Sequence, residues 1–133
     1  MKIDRNSAEI ISLEKAVKYT HAFQKKNPDT IKSFFVGSEK LKLILEQENC
    51  IGIRIYNGYN EEEERENLVL VGVDASGEDM TRDVILEELT PCPKVCPIDS
   101  ELIVIPEETE LPEEPEEPIQ EELEGPEEIK EEE

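Results

Sequence analysis

The chain has 133 residues, of which 35 are Asp or Glu and 14 are Lys or Arg, so its formal net charge is −21. General binding to a nucleic-acid backbone or an anionic membrane requires a basic face, which this composition excludes. No apolar run approaches the roughly 18 residues of a membrane-spanning helix. The N-terminal residues also lack the apolar core of a signal peptide. We therefore expect no direct nucleic-acid binding, no membrane insertion and a cytoplasmic location.

The charge divides the chain into two parts. Residues 1–97 hold 18 acids and 13 bases, a net charge of −5, whereas residues 98–133 hold 17 acids and one base, a net charge of −16. Glutamate and proline dominate the second part, and mutual repulsion together with proline prevents such a chain from forming a packed core. We expect a compact domain over residues 1–97 and a Glu/Pro-rich disordered tail over residues 98–133.

Two helices are predicted in the first part. Ser12 is a favourable N-cap, and Asn27 followed by proline ends the first helix. Helical spacing places one apolar face on this helix, formed by Leu13, Ala16, Val17, Thr20 and Phe23. A second helix is expected to begin with Ser38 as its cap and to end near Asn49.

An antiparallel hairpin is predicted after the helices. Isoleucine alternates with other residues over 50–56, and residues 68–73 form a continuous apolar run. The intervening residues 57–67 are predicted to form a long acidic loop that begins with an Asn-Gly turn.

The remaining segments leave alternatives open. Residues 31–36 are a strand or an apolar linker, and residues 84–89 are a strand or a helical turn. The prolines at 91, 93 and 97 are expected to exclude regular structure from the closing segment. The predicted architecture is α+β, with two helices packed on one face of a small antiparallel sheet.

Three stretches occur in the order RIYNG (54–58), LVLVGVD (68–74) and CPKVCP (92–97). In this order they resemble a family of short, uncharacterised bacterial proteins with an RIYxG turn and a closing CPxxCP motif. The resemblance covers roughly residues 12–97 and implies a fold unit. It implies neither an activity nor a ligand.

Soft metal ligands are few: Cys50, Cys92, Cys96 and His21 are the complete set of cysteines and histidines. The closing pair has the spacing C-x3-C rather than the C-x2-C of common zinc knuckles. A zinc site would need all four residues to converge, and the sequence indicates no other cofactor. The alternatives are a reversible disulfide between Cys92 and Cys96, or cysteines that only pack. No catalytic residue is predicted.

A carboxylate-rich turn follows the second strand of the hairpin. It contains Asp74, Glu78, Asp79 and Asp83, whose oxygens would suit Mg²⁺ or Ca²⁺. The spacing does not fit an EF-hand loop, and a solvated turn is the alternative.

Two candidate binding surfaces are predicted. Arg54 and Tyr56 share the strand face opposite the isoleucines, a pair typical of protein interfaces, unless the arginine pairs with a loop glutamate. The second surface is an apolar, β-branched segment that docks on its own domain as an edge strand or pairs with the sheet edge of a partner. It consists of Leu102, Ile103, Val104 and Ile105.

These features favour a non-enzymatic protein-binding or adaptor module with an acidic, extended C-terminal tail. Its partner would be a protein, for which a basic surface would complement the tail. One alternative is a thiol-redox or zinc-binding protein centred on Cys92 and Cys96. Another is an acidic nucleic-acid mimic that inhibits a basic protein. The sequence does not indicate an oligomeric state.

Overall fold

The computed structural model describes residues 2–104. Its helices are α1 (Leu13–Lys26) and α2 (Ser38–Leu45), and its strands are β1 (Ser33–Phe35), β2 (Cys50–Asn60), β3 (Arg65–Asp74), β4 (Ile85–Leu86) and β5 (Thr90–Cys92). All strand pairs are antiparallel, with β2-β3-β4 in one sheet and β1-β5 in another. The predicted α+β class is confirmed. Within residues 2–104, every helix is too short or too polar to cross a membrane.

Helix α1 has the predicted ends. Ser12 Oγ accepts a hydrogen bond from the Lys15 N–H at 3.1 Å, and the Asn27 N–H donates to Phe23 O at 2.9 Å. The first bond satisfies a backbone donor that a helix leaves unpaired at its start, and the second satisfies a carbonyl left unpaired at its end.

The predicted inner face of α1 is wrong at its two largest residues. Leu13 and Phe23 are 55% and 46% exposed, whereas Gln24 is only 6% exposed. Val17, Thr20 and the polar Gln24 lie three or four positions apart and therefore share one helix face. Apolar spacing could not identify this face, because its most buried residue is an amide.

Helix α2 is shorter than predicted. Gly37, not Ser38, is its N-cap, and the helix ends at Leu45 rather than near Asn49. Asn49 has a φ of 73°, which turns the chain out of the helix and into β2. The fully buried Ile44 of α2 packs in the core, which also contains Cys50, Leu70 and Leu89.

The hairpin is longer, and its loop shorter, than predicted. β2 and β3 pair along their length, and only residues 61–64 connect them. The expected loop over residues 57–67 is wrong, since the Asn57–Gly58 pair lies within β2. The chain turns instead at Asn60, whose Oδ1 accepts hydrogen bonds from two loop N–H groups, each at 3.0 Å.

A β-bulge interrupts the predicted alternation in β2. The strand register shifts between Cys50 and Gly52, so Ile51 has no partner of its own on β3. Ile53 packs against the core, whereas Ile55 on the same strand is 59% exposed. The strand therefore leaves the core before it reaches the hairpin tip.

Each of the two segments with alternative predictions contains a strand. β1 lies within residues 31–36, and β4 lies within residues 84–89. The expectation that prolines exclude regular structure is wrong for β5, because Pro91 pairs with Phe34 of β1 in a sheet of only two strands. Proline is tolerated on such edge strands, where its missing N–H need not face a partner.

Helix α2 approaches β3 closely at Gly72. A Cβ atom at this position would lie 3.1 Å from Cys50 Sγ and 3.2 Å from the Ile44 side chain. The absence of a side chain therefore allows the helix to pack on the sheet. This contact joins the helical and sheet parts of the core.

The start of the predicted tail contacts α1. Residues 101–104 form a turn rather than a strand and hydrogen-bond to the helix. The prediction of disorder for residues 105–133 lies outside the described residues, as does the proposed binding residue Ile105.

Candidate functional site

Arg54 and Tyr56 converge on one carboxylate, that of Asp79. Arg54 Nη1 lies 2.5 Å from Asp79 Oδ1, and the Tyr56 hydroxyl donates a short hydrogen bond to Asp79 Oδ2. Arg54 Nη1 also donates to Gly77 O at 3.2 Å. The arginine thus pairs with an aspartate of the turn after β3 and not with a glutamate of the hairpin loop. These contacts fix both β2 side chains against that turn.

The three groups shift one another's ionisation. The hydrogen bond from Tyr56, and then the bond and charge of Arg54, lower the pKa of Asp79 below its ordinary value. The same bond raises the pKa of Tyr56, because ionising the phenol would abolish its donor next to a carboxylate. Asp79 is therefore an ionised acceptor, and Tyr56 is a neutral donor at neutral pH.

Strand β2 is an open edge of its sheet. Within residues 2–104 it pairs only with β3, and beyond Cys50, whose N–H donates to Gln47 O at 3.1 Å, no backbone hydrogen bond joins its outer edge to another segment. Residues 3–7 lie beside residues 51–55 and leave a cavity of about 390 Å³ between them. Closer to the tip the side chains are exposed, Tyr56 by 45% and Tyr59 by 60%.

A second contact joins α1 to residues 101–104. Gln24 Nε2 donates to Leu102 O at 3.0 Å, and Gln24 Oε1 accepts from the Val104 N–H at 2.8 Å. One turn earlier, His21 Nε2 donates to Glu101 O at 2.9 Å. Predicted surface residues 102–104 therefore lie on α1, held through their backbone.

An open groove of about 730 Å³ runs between α1 and this segment. Leu13 and Val17 line it from the helix, and Ile103 and Val104 line it from the segment. Leu13, which belongs to the predicted apolar face of α1, thus borders a groove at the surface.

The cysteines do not form a common site. Cys92 and Cys96 are joined by a disulfide, with Cα atoms 4.8 Å apart. Cys50 is a free, buried thiol that donates to Gly52 O at 3.2 Å. His21 contacts Glu101 instead of a cysteine, so the described residues do not bring the four predicted zinc ligands together.

The carboxylate-rich turn is held by its own backbone. Asp74 Oδ1 accepts from the N–H groups of Ser76 and Glu78 at 2.9 and 3.1 Å. Within residues 2–104 no group of three or more potential ligands has an arrangement suited to a metal ion. Asp79, one of the predicted metal ligands, is instead the partner of Arg54.

Sequence reasoning missed the central role of Gln24. It is a lone amide in a helix, and its partners Leu102 and Val104 lie 78 and 80 positions away. The one available signal was its position four residues after Thr20 on the inner helix face, which is unusual for a polar residue. Asp79 was singled out, but as a member of a carboxylate cluster.

No family model, curated protein or solved structure matches this chain. The resemblance to short bacterial proteins with RIYxG and CPxxCP motifs therefore stays a prediction.

Proposed function

We propose that this chain is a non-enzymatic protein-binding module that accepts an extended segment of a partner at the edge of β2. The observation that carries this proposal is the outer edge of residues 51–60 in β2, which no strand of the described chain pairs with. Unpaired N–H and C=O groups on a sheet edge bind an added strand through main-chain hydrogen bonds. Such recognition needs no catalytic group.

Side chains near the tip would give the edge its selectivity. Ile55 and Tyr59 are about equally exposed, at 59% and 60%, and stand on one face of the strand. On the other face Asp79 holds Tyr56 and Arg54 in place. Ordered aromatic side chains lose little entropy on binding and are enriched in binding hot spots.

Charge favours a basic partner. The hairpin loop, residues 61–64, consists of four glutamates directly beyond the exposed part of β2. The C-terminal residues 105–133 add fifteen glutamates and one lysine. Acidic groups of this number raise the association rate with a positively charged protein and make it salt-dependent. The proposed ligand is an extended apolar segment that carries lysine or arginine near the loop.

A designed peptide tests the edge directly. The probe is a synthetic peptide of alternating valine and lysine, titrated into the full-length, ¹⁵N-labelled chain. We expect amide shifts concentrated in residues 54–60, since the added strand would bond to that edge. The same peptide with glutamate in place of lysine is expected to bind at least tenfold more weakly.

Two tyrosines offer a matched pair of variants. Tyr59→Lys places a positive charge on the edge and is expected to weaken binding of the lysine peptide about tenfold, or about 1.4 kcal/mol. Tyr19→Lys alters a similarly exposed tyrosine, 57% against 60%, on α1. Shifts centred away from β2, or equal losses in both variants, would contradict the proposal.

Thiol–disulfide exchange is a second candidate function, favoured by the Cys92–Cys96 bond. Cys92 is 1% exposed, whereas Cys96 is exposed. An external thiolate would attack Cys96 Sγ and release Cys92 as the thiolate, and a second external thiol would complete the two-electron reduction. Dithiothreitol as the reductant, with mass spectrometry of alkylated cysteines, measures the potential of this pair. A potential below about −300 mV would mark it as a structural bond and oppose this function.

A further inference from the structure

Gln24 has the features of a binding group rather than of a core residue. Among residues 2–104 it is the polar side chain buried most deeply, at 6% exposure. Burying an amide costs free energy unless both its donor and its acceptor are paired. In Gln24 the backbone of residues 102 and 104 pairs with both of them. The buried amide is thus compensated by a segment that is distant in sequence.

The docked segment has a shape of its own. The Leu102 N–H donates to Ser100 Oγ, and the Ile103 N–H donates to Ser100 O, each at 3.2 Å. These bonds lie within the segment and do not depend on α1. The segment can therefore keep the same turn whether it docks on its own chain or on another.

The connection to the rest of the chain is short and exposed. The Cys92–Cys96 disulfide ties residues 93–96 back to β5, so residues 97–99 alone link this loop to the segment, and all three are exposed. The side chain of Ile98 is fully exposed, at 103%. Within the described chain, every hydrogen bond from residues 100–104 to another element ends on His21 or Gln24. Docking on α1 consequently does not require the connector to follow one path.

We propose that the α1 face around His21 and Gln24 is a binding site for residues 100–104 of a second copy of this chain. The same backbone atoms would meet the same side chains, so intermolecular docking differs from intramolecular docking only in the connector. Exchange of an identical element is a low-cost route to a dimer. A short linker gives the chain's own segment an effective concentration of about 1 mM, so exchange requires protein near that concentration.

Two full-length variants separate the site from its ligand. Gln24→Ala removes the site and keeps the segment. Val104→Pro keeps the site and removes the N–H that donates a hydrogen bond to Gln24 Oε1. Neither variant can form the complete contact alone. In a mixture, the segment of the Gln24→Ala protein can dock on α1 of the Val104→Pro protein.

The readout is the Gln24 side-chain amide signal in ¹⁵N-labelled Val104→Pro protein. We expect it to move at least halfway to its wild-type position when unlabelled Gln24→Ala protein is added to about 1 mM. The double variant Gln24→Ala/Val104→Pro, added in the same way, is expected to cause no shift. Circular dichroism of each variant checks that α1 is intact.

Three results would overturn the proposal. If the signal does not move although wild-type and Val104→Pro spectra differ, docking is strictly intramolecular. If the wild-type and Val104→Pro signals coincide, the Gln24 contact itself is absent. A shift that the double variant also produces would place the interaction elsewhere and equally exclude exchange.

Discussion

Gln24 and Val104 lie eighty positions apart, yet the Gln24 Oε1 accepts a hydrogen bond from the Val104 N–H at 2.8 Å. The same carboxamide donates to Leu102 O. This one side chain therefore makes two of the hydrogen bonds that attach the end of the described chain to the first helix, and His21 makes the third. All three bonds use backbone groups, which every residue other than proline supplies.

Replacing Gln24 by alanine is expected to release residues 101–104. Loss of two hydrogen bonds, one from each half of the amide, should cost about 1–3 kcal/mol for this contact. We expect the Val104 amide to exchange with solvent at least fivefold faster, as measured by NMR of the full chain. Lys26→Ala is the control, because Lys26 is an exposed residue at the end of α1 that does not line the groove beside the segment. Equal protection of Val104 in both variants would contradict the contact.

Tyr56→Phe is expected to change the pH dependence of stability. Asp79 has a lowered pKa in the folded chain. Its contribution to the free energy of unfolding is therefore complete above the unfolded pKa of about 3.9 and is lost as the pH falls through the folded pKa. Tyr56 has a raised pKa, so its contribution is present below about 10 and is lost as pH rises through the folded value. The variant removes the Tyr56 contribution to the loss of stability at alkaline pH and weakens the Asp79 contribution to the loss at acidic pH.

Urea unfolding of Tyr56→Phe at a series of pH values measures this effect. The difference from wild type should be largest near neutral pH and should shrink towards both extremes. Tyr59→Phe is the matched control, because Tyr59 lies on the same strand and its hydroxyl has no hydrogen bond within the described residues. A difference that is constant across pH would show that the Asp79 contact contributes nothing.

Gly72→Ala is expected to destabilise the fold. Its Cβ would meet Cys50 Sγ at 3.1 Å and Ile44 at 3.2 Å, and overpacking of this kind costs about 1–3 kcal/mol. Gly52→Ala is the control, because no atom lies within 4 Å of its Cβ position. Chemical unfolding should show a loss only for Gly72→Ala. Similar stability of the two variants would contradict the close approach of α2 to β3.

The sequence predicted elements best where the deciding interactions are local. The caps of α1 follow from Ser12 and Asn27, and both hairpin strands follow from apolar pattern. The hairpin loop was predicted too long because Asn57–Gly58 is a strong turn signal, and the ten-residue pairing with β3 overrides it. Local propensity is weak against so many cross-strand contacts.

The candidate site was predictable only in part. Arg54 and Tyr56 share a face because strand side chains alternate, which periodicity shows directly. Their common partner Asp79 and the role of Gln24 depend on long-range packing, which a single sequence does not encode as a pattern. A buried amide is also hidden from any search for apolar faces.

Loss of the Cys92–Cys96 bond is expected to lower stability by about 2 kcal/mol, the loop-closure estimate for a five-residue ring. Cys96→Ser is the suitable variant, since Cys96 is exposed and the change leaves the buried Cys92 in place. We expect urea unfolding of wild type in dithiothreitol to match this variant, and the variant itself to be insensitive to the reductant. If the reductant leaves wild-type stability unchanged, the bond does not stabilise the junction between β5 and the residues that reach α1.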